Sequence, residues 1–224
     1  MTTVQDSGGP AHNDLLTLSR LVQDDLPCVA HIHMLAFPRS ALTRLGKEAV
    51  RRYYEWQLLG PHDSVALGAV ADGELVGFCF GGVFRGALSG FVRKNRLFLA
   101  WRILIHPWLV TNPLIRDRLK LGTRVLRWTA RGPVPRATSR AASEQHRSFG
   151  ILAIAVHPAS QGLGIGKMLM QEAERIALQR GFTSMHLTVA TDNLQAIGFY
   201  ERQGWRKHTT TGEWTGQMRK TLSL

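Results

Sequence analysis

The sequence predicts a mixed α/β fold in which helices flank one sheet. Segments with strand-like patterning alternate with segments of helical periodicity along most of the chain. Asp72-Gly73 joins two apolar runs, and this dipeptide is a strong signal of a tight hairpin. The apolar run at 149–156 leads through a glycine-rich stretch into a periodic segment, which indicates a buried strand followed by a helix.

The elements before the hairpin follow from turn and capping signals. Residues 15–22 are predicted to form a strand. Asp24 and Asp25 mark the start of a helix, because the helix dipole favours acidic residues there, and Pro38 ends that helix. Residues 41–58 are predicted to form one further helix.

The elements after the glycine-rich stretch continue the alternation of helix and strand. Gly181 stands at the position expected for the C-cap of the helix that follows the glycine-rich stretch. A strand at 184–190, a short helix at 193–204 and two closing strands are predicted to follow. The apolar positions of the first helix are Ile165, Met168, Leu169, Ala173 and Ile176.

Composition indicates a folded protein of ordinary polarity. Hydrophobic residues make up 44% and charged residues 20% of the 224 residues. No signal peptide and no apolar run long enough to span a bilayer is visible. Cys28 and Cys79 lie in apolar surroundings and are interpreted as reduced core residues. We therefore expect a cytoplasmic protein with residues 1–14 disordered and 15–224 forming one domain.

The excess positive charge lies in one internal segment. The net charge is +12, and residues 85–147 alone hold 14 Lys and Arg against two acids, so the remainder of the chain is balanced. We interpret residues 85–148 as a basic helical insertion. Such a concentration of charge indicates that this segment meets something negative.

One amphipathic helix is predicted within the insertion. Asn112-Pro113 is typical of a helix start, and in 114–128 the basic side chains fall on one arc opposite apolar ones. Three tryptophans accompany it: Trp101, Trp108 and Trp128. The insertion is compatible with an anionic membrane surface, a lid over an anionic acceptor, or a merely solvated basic face. Nucleic acid is not favoured, because no recognition motif accompanies the charge.

The glycine-rich stretch at 161–166 has the properties of an anion site. Glycines let the backbone approach a phosphate closely, and the free N–H groups of a helix start favour an anion. The stretch is not a P-loop, because Gln161 and Met168 stand where Gly and Ser or Thr are needed. It is not a Rossmann fingerprint, because Lys167 replaces the third glycine.

The stretch resembles the pyrophosphate loop of the GNAT superfamily of acyl-CoA N-acyltransferases. That pattern is Gln or Arg, two residues, Gly, one residue, and Gly or Ala, and Gln161, Gly164 and Gly166 match it. The resemblance is strong from residue 149 to about 222, follows only the element order over 15–84, and does not cover 85–148. The downstream residues that match the family's signature are Asn193, Ala196, Phe199, Tyr200, Gly204 and Trp205.

The resemblance implies a mixed, mostly antiparallel sheet and a transfer of acetyl from acetyl-CoA to an amine, with no metal. It implies that Asn193 hydrogen-bonds the pantetheine arm and that Tyr200 protonates the departing thiolate. One N–H of the central strand would polarise the thioester carbonyl. The residues that it assigns to the co-substrate are Ile154, Ala155, Val156, Gln161, Gly162, Leu163, Gly164, Ile165, Gly166, Lys167, Asn193 and Ala196.

The general base stays open at this stage. Many members of the family use a glutamate on or near the central strand, but residues 149–156 contain no acid. A water relay is an equal alternative. The candidate side chains are Glu144, His146, His157, His31 and His33.

We expect an N-acetyltransferase that acts on a primary amine of a small-molecule acceptor, and an acceptor that is anionic or similar to an amino sugar is compatible with the sequence. Two alternatives stay open: a protein lysine or N-terminal acetyltransferase, and a non-catalytic acyl-CoA-binding or membrane-surface module. A homodimer and a peripheral position at the inner membrane surface are also compatible with the sequence.

Overall fold

A computed structural model describes residues 16–84, 86–105, 148–209 and 212–223. Its strands are β1 Thr17–Arg20, β2 Asp63–Ala71, β3 Glu74–Val83, β4 Ser148–Val156, β5 Ser184–Thr188, β6 Arg206–Lys207 and β7 Gln217–Thr221. Its helices are α1 Leu26–Ala36, α2 Ala41–Arg44, α3 Lys47–Leu59, α4 Ala87–Lys94, α5 Arg96–Ile105, α6 Ile165–Gln179 and α7 Leu194–Glu201. The described strands form one sheet in the order β1-β2-β3-β4-β5-β7-β6. Among the described strands, only β4 and β5 pair in parallel, so the predicted mixed, mostly antiparallel sheet is confirmed.

The hairpin between β2 and β3 forms at the predicted dipeptide. Asp72 and Gly73 both have positive φ, 52° and 79°, as a two-residue type I′ turn requires. β3 then pairs antiparallel with β4 and places Cys79 opposite Ile154 in the middle of the sheet. Leu152 has no partner on β3, because the register shifts there, which is the mark of a β-bulge.

The two faces of the sheet carry separate apolar clusters. On one face, called the α1 face below, α1 and α3 pack through buried residues such as Tyr54. On the other, the α6 face, α6 packs through buried residues such as Leu169. Side chains alternate along a strand, so Ala155 of β4 points to the α1 face while Ile154 and Val156 point to the α6 face.

The single helix predicted at 41–58 is in fact two helices, α2 and α3. The break falls at Gly46, whose φ of 93° lies in the left-handed region. The guanidinium of Arg102 occupies the space beside Gly46, where a Cβ would collide with it. Arg102 Nε also donates to the Leu45 carbonyl over 2.9 Å. The left-handed glycine therefore makes the break, and Arg102 of α5 packs against it.

The described beginning of the basic segment is helical and packs on α3. Phe91 of α4 is buried, and Gly90 lets α4 approach the ring of Trp56 closely. The Arg52 guanidinium of α3 lies over the Phe98 ring of α5 at 4.4 Å. Residues 106–147, with Asn112-Pro113 and the helix predicted at 114–128, lie outside the described residues, as do residues 1–14.

The prediction that both cysteines are core residues is correct for Cys79 and wrong for Cys28. Cys79 is fully buried, and burial raises the pKa of its thiol to about 12. Cys28 is exposed, because the buried side of α1 is formed by Leu26, Val29 and Ala30 instead. An apolar run does not show which side of a helix faces the sheet when almost every position is apolar.

Candidate active site

An opening between β4 and β5 is the main feature of the sheet. The two strands pair only from Ser148↔Ser184 to Gly150↔His186. Beyond Gly150, the six remaining residues of β4 have no partner on β5. Backbone N–H and C=O groups at a strand edge need hydrogen-bond partners, so this opening offers an extended molecule a place to pair.

The backbone groups of β4 that face the opening can be identified by alternation. The N–H of His157 donates to the Val76 carbonyl of β3 over 2.8 Å. The Ala155 carbonyl lies 3.2 Å from the position that a Cβ on Gly77 would take, so it also faces β3. Because successive residues of a strand turn their polar groups to opposite edges, Ile154 and Val156 face the opening.

The glycine loop leaves the end of β4 and starts α6. Gly162 and Gly164 have φ of 84° and 79°, and a Cβ at either position would meet nothing within 4 Å. The N–H of Met168 is the first to bond back into the helix, to the Gly164 carbonyl. The N–H groups before it have no helical partner: Ile165, Gly166 and Lys167. The exposed side chains here are Gln161, Leu163 and Lys167. The start of a 15-residue helix therefore presents bare N–H groups beside the opening.

Gly166 has a packing role that differs from that of the other two glycines. A Cβ there would lie 3.3 Å from the Phe199 ring of α7 and 3.8 Å from Val156 Cγ2. The missing side chain therefore lets α7 approach the first turn of α6. This close approach holds Tyr200, the next residue of α7, near the open part of the sheet.

Asn193 and Gln161 both use their side chains near the opening. Asn193 is the N-cap of α7, and its Oδ1 accepts from the Ala196 N–H over 3.1 Å. The Asn193 amide nitrogen donates to no atom of the described chain and is exposed. Gln161 Nε2 donates to the Val156 carbonyl over 3.2 Å. Gln161 therefore ties the glycine loop to the exit of β4.

Tyr200 lies on the α6 face with 9% of its surface exposed. Burial, and then the nearby Cys79 thiol, raise the pKa of its phenol above the ordinary value. Its ring contacts Phe199 and Trp205, with centroids 5.2 Å and 6.0 Å away. Tyr200 is therefore neutral over the physiological pH range and keeps a proton to donate.

The described base candidates have very different surroundings. His33 is buried, with Nδ1 2.9 Å from the Tyr54 hydroxyl and Nε2 3.2 Å from Ser40 Oγ. Burial lowers the pKa of His33 to about 4, and both ring nitrogens are occupied, so it is a structural residue. The exposed His31 ring and the His157 ring lie 6.3 Å apart at the exit of β4. Glu144 and His146 lie outside the described residues.

His186 is a candidate that the sequence pattern did not single out. It stands opposite Gly150 in the last pair before β4 and β5 separate. A Cβ on Gly150 would lie 2.9 Å from His186 Nε2, so the imidazole covers this glycine. Its Nδ1 lies 2.9 Å from Ser148 Oγ. Burial, and then the Arg219 charge, lower the pKa of His186 below the ordinary value. The available signal was the glycine, which inside a buried strand often marks a close approach.

The described part of the chain contains no group of three or more His, Cys, Asp or Glu side chains placed to hold a metal ion. None of its helices combines the length and the hydropathy needed to cross a bilayer.

Comparison with known proteins identifies the family. The chain belongs to the Acetyltransferase (GNAT) family, whose sequence model matches residues 28–205. This range includes the glycine loop, Asn193 and Tyr200. The resemblance inferred from the loop and its downstream signature is therefore confirmed at the level of the family.

Individual relatives are more distant. A mycothiol acetyltransferase of Jonesia denitrificans is 32% identical over 80 residues, which are 34% of this chain and only 26% of that protein. The match thus spans about a quarter of that relative's length.

Solved structures share the fold at low sequence identity. The ribosomal-protein-S18-alanine N-acetyltransferase of Escherichia coli superposes with a TM-score of 0.53 at 18% identity, covering 94% of this chain and 96% of that one. The Paia N-acetyltransferase of Thermoplasma acidophilum, solved with coenzyme A, gives 0.55 at 16% identity over 92% and 98%. At such identities the likeness establishes the fold alone.

Proposed function

We propose that the protein is an N-acetyltransferase that moves an acetyl group from acetyl-CoA to a primary amine of a small-molecule acceptor by direct attack. The observation that carries the proposal is the opening between β4 and β5 beside the bare N–H groups of the glycine loop. One co-substrate with an extended amide arm and a pyrophosphate fits both features. The active unit is the single domain 15–224, with 85–148 as its insertion, in the cytoplasm.

The co-substrate is held mainly by backbone groups. The N–H groups of 162–167 bind the pyrophosphate, because they are free and lie at the positive end of the helix dipole. Ile154 and Val156 pair with the pantetheine arm as with an added strand. Ala155 makes no hydrogen bond to the arm, because its polar groups face β3. It only continues the strand between Ile154 and Val156. The Asn193 amide nitrogen, fixed by its cap to Ala196, donates to the arm from the other side.

The reaction then needs a polarised carbonyl, a group that accepts a proton from the amine and a group that donates a proton to the sulfur. A free N–H of β4 donates to the thioester oxygen, which stabilises the negative charge that develops on it. The neutral amine attacks the carbonyl carbon, a C–N bond forms, and the C–S bond breaks. Tyr200, a neutral phenol on the α6 face, gives a proton to the departing sulfur.

The proposal is tested by calorimetry with acetyl-CoA and by thiol release over a panel of amines. The informative variant is Gly164→Trp, which fills the space that the pyrophosphate needs. Gly73→Trp is its matched control, because Gly73 has the same φ of 79° and equally open surroundings in a distant hairpin. We expect loss of acetyl-CoA binding in the first variant only. Binding that survives Gly164→Trp would refute the loop assignment.

We also infer a contact of the insertion with an anionic membrane surface. Leu97, Trp101 and Leu104 form a stripe at helical spacing on α5, and they are 78%, 55% and 78% exposed. Arg93, Lys94 and Arg96 directly precede it in the sequence, and residues 75–116 contain no acid. Exposed Leu and Trp next to basic side chains are typical of helices that bind in a membrane interface.

Co-sedimentation with vesicles tests this contact. We expect binding to vesicles of phosphatidylcholine with phosphatidylglycerol, and little binding to phosphatidylcholine alone. The double variant Leu97→Gln, Leu104→Gln should lose the binding. Leu59→Gln, at an exposed leucine at the end of α3, should keep it. Equal sedimentation of all variants, or none with either vesicle, would contradict the contact.

A further inference from the structure

We propose that a row of basic side chains on the α1 face makes this enzyme specific for acceptors that carry an anionic group, with His186 taking the proton of the attacking amine. The inference rests on the proposed function and names the substrate class of that same site. The members of the row are His186 of β5, Arg219 of β7 and Arg206 of β6.

The sheet register places these residues side by side. His186 pairs with Arg219, and Arg219 pairs with Arg206. Directly opposite residues of antiparallel strands point to the same face, about 5 Å apart. Their sequence neighbours Met185 and Met218 are buried on the α6 face, so the row points to the α1 face. Gly150, on the far side of His186, continues the row to the opening.

The two arginines of the row are available to a ligand. Arg206 and Arg219 are exposed. Neither forms an ion pair with an acid among the described residues, whereas Arg51, Arg175 and Arg180 each do. Polar side chains extend the same face: Ser184, Thr188, Gln217 and Thr221. A guanidinium pair without acidic partners matches a carboxylate or phosphate group, which it binds through paired N–H donors.

His186 lies where a proton acceptor is needed. It closes the paired end of the opening, so it lies beside the strand that holds the thioester. Its side chain stands on the α1 face, whereas Tyr200 stands on the α6 face, so the two proton positions lie on opposite sides of the sheet. In the tautomer in which Nδ1–H donates to Ser148 Oγ, Nε2 carries no proton and can accept one. Ser148 on β4 and Arg219 on β7 are the polar groups that face this ring in the described chain.

The proton balance of the transfer is closed by these two groups. The neutral amine forms the C–N bond and gives one proton to His186 Nε2, while the C–S bond breaks and the sulfur receives one proton from Tyr200. His186 and Tyr200 return to their starting forms through solvent. No oxidant, reductant or metal is required.

The substrate class is tested with pairs of amines matched in size: β-alanine with β-alaninamide, and 4-aminobutyrate with 4-aminobutanamide. Thiol release is followed at saturating acetyl-CoA. We expect the anionic member of a pair to be favoured at least about tenfold in kcat/KM, the size of a hydrogen bond to a charged group. A preference for the neutral members would overturn only this inference. No release from any pair would overturn the proposed function and this inference with it.

Variants test the row itself. Arg219→Gln should raise KM for the anionic acceptor about tenfold and leave KM for the neutral one near the wild-type value. Arg206→Gln should act in the same direction. Arg20→Gln, at an exposed arginine of the opposite edge strand β1, is the control and should change neither. Equal effects on both acceptors would show a structural role and overturn the assignment.

His186 is tested by the pH profile of kcat/KM. In the wild type we expect activity to rise with pH through an apparent pKa below that of an ordinary histidine, since only neutral His186 accepts a proton. His186→Gln keeps a hydrogen bond to Ser148 but cannot titrate, so this limb should vanish while the KM for acetyl-CoA stays near normal. The same limb in the variant would remove His186 from the role.

Discussion

At the scale of the residue, Tyr200 shows how packing keeps a proton in place. Its phenol is buried beside Cys79 and held between Phe199 and Trp205, and burial keeps it neutral. Such a group is a weak acid, and its use depends on being close to a base that forms during the reaction. Sulfur leaving a thioester is such a base.

We expect Tyr200→Phe to lower kcat by about a hundredfold or more while acetyl-CoA still binds with near-normal affinity. The change removes one hydroxyl and leaves the ring contacts intact. Stopped-flow thiol release and calorimetry give the two quantities. Tyr53→Phe, which removes a hydroxyl on α3, is the control. An unchanged kcat in Tyr200→Phe would assign the proton to solvent.

His33 couples stability to pH. Its pKa is about 4 in the folded protein against 6.5 for the ordinary group, so between these values the unfolded chain binds a proton that the folded chain does not. The free energy of unfolding that this difference in proton binding supplies is fully present above pH 6.5, and it is lost as the pH falls towards 4. It amounts to about 3 kcal/mol of unfolding free energy.

Urea unfolding at neutral pH and near the folded pKa of His33 checks this coupling. The loss of stability on acidification should be smaller in His33→Gln than in the wild type. His31→Gln, two residues earlier on the exposed side of α1, should behave as the wild type does. Equal acid sensitivity in all three proteins would contradict the assignment.

At the scale of the element, the junction of α6 and α7 depends on a glycine. Replacing a helical glycine by alanine ordinarily stabilises a helix by about 0.5–1 kcal/mol. At Gly198 the nearest atom is the flexible end of Arg202, so the full gain is expected there. At Gly166 the new Cβ meets the Phe199 ring at 3.3 Å, so the gain should be cancelled or reversed.

Thermal unfolding of Gly166→Ala and Gly198→Ala measures this difference directly. The first variant should also bind acetyl-CoA more weakly, because α7 and Asn193 are displaced from the opening. If both variants gain equal stability, Phe199 moves aside at no cost, and the prediction that this contact cancels the gain at Gly166 is wrong.

Local signals in the sequence were sufficient for those elements whose ends are fixed by nearby residues. The hairpin at Asp72-Gly73, the entry of α6 at Gly164 and the cap at Asn193 all depend on contacts within a few positions. The break at Gly46 was not predicted, because a glycine inside a helical pattern is compatible both with a continuous helix and with the left-handed turn found here. His186 was not singled out, because its position beside Gly150 and Arg219 comes from the register of three strands, which no single segment encodes.

At the scale of the whole molecule, the sheet of the described residues consists of two parts joined by three residue pairs. β1 to β4 form one part, and β5, β7 and β6 form the other. An extended ligand in the opening would add pairing between the two parts, so binding should change the protection of particular amides and not only the overall stability.

Hydrogen exchange resolves this prediction residue by residue. In the free protein the amides of Ile154 and Val156 should exchange readily, and acetyl-CoA should slow both. The Ala155 amide faces β3 and should be protected with or without the ligand, which makes it an internal control. If acetyl-CoA leaves the exchange rates of Ile154 and Val156 unchanged, the pantetheine arm does not bind along β4.

The opening also means that this sheet has an edge in its middle. Proteins normally blunt such edges with charges, prolines or a covering loop, since an unpaired strand is a template for another chain. Here β4 is apolar along its length, with no charged side chain from Phe149 to Val156. A co-substrate bound in the opening, as proposed, would supply the missing pairing, and we expect the protein without it to be more prone to strand exchange and aggregation.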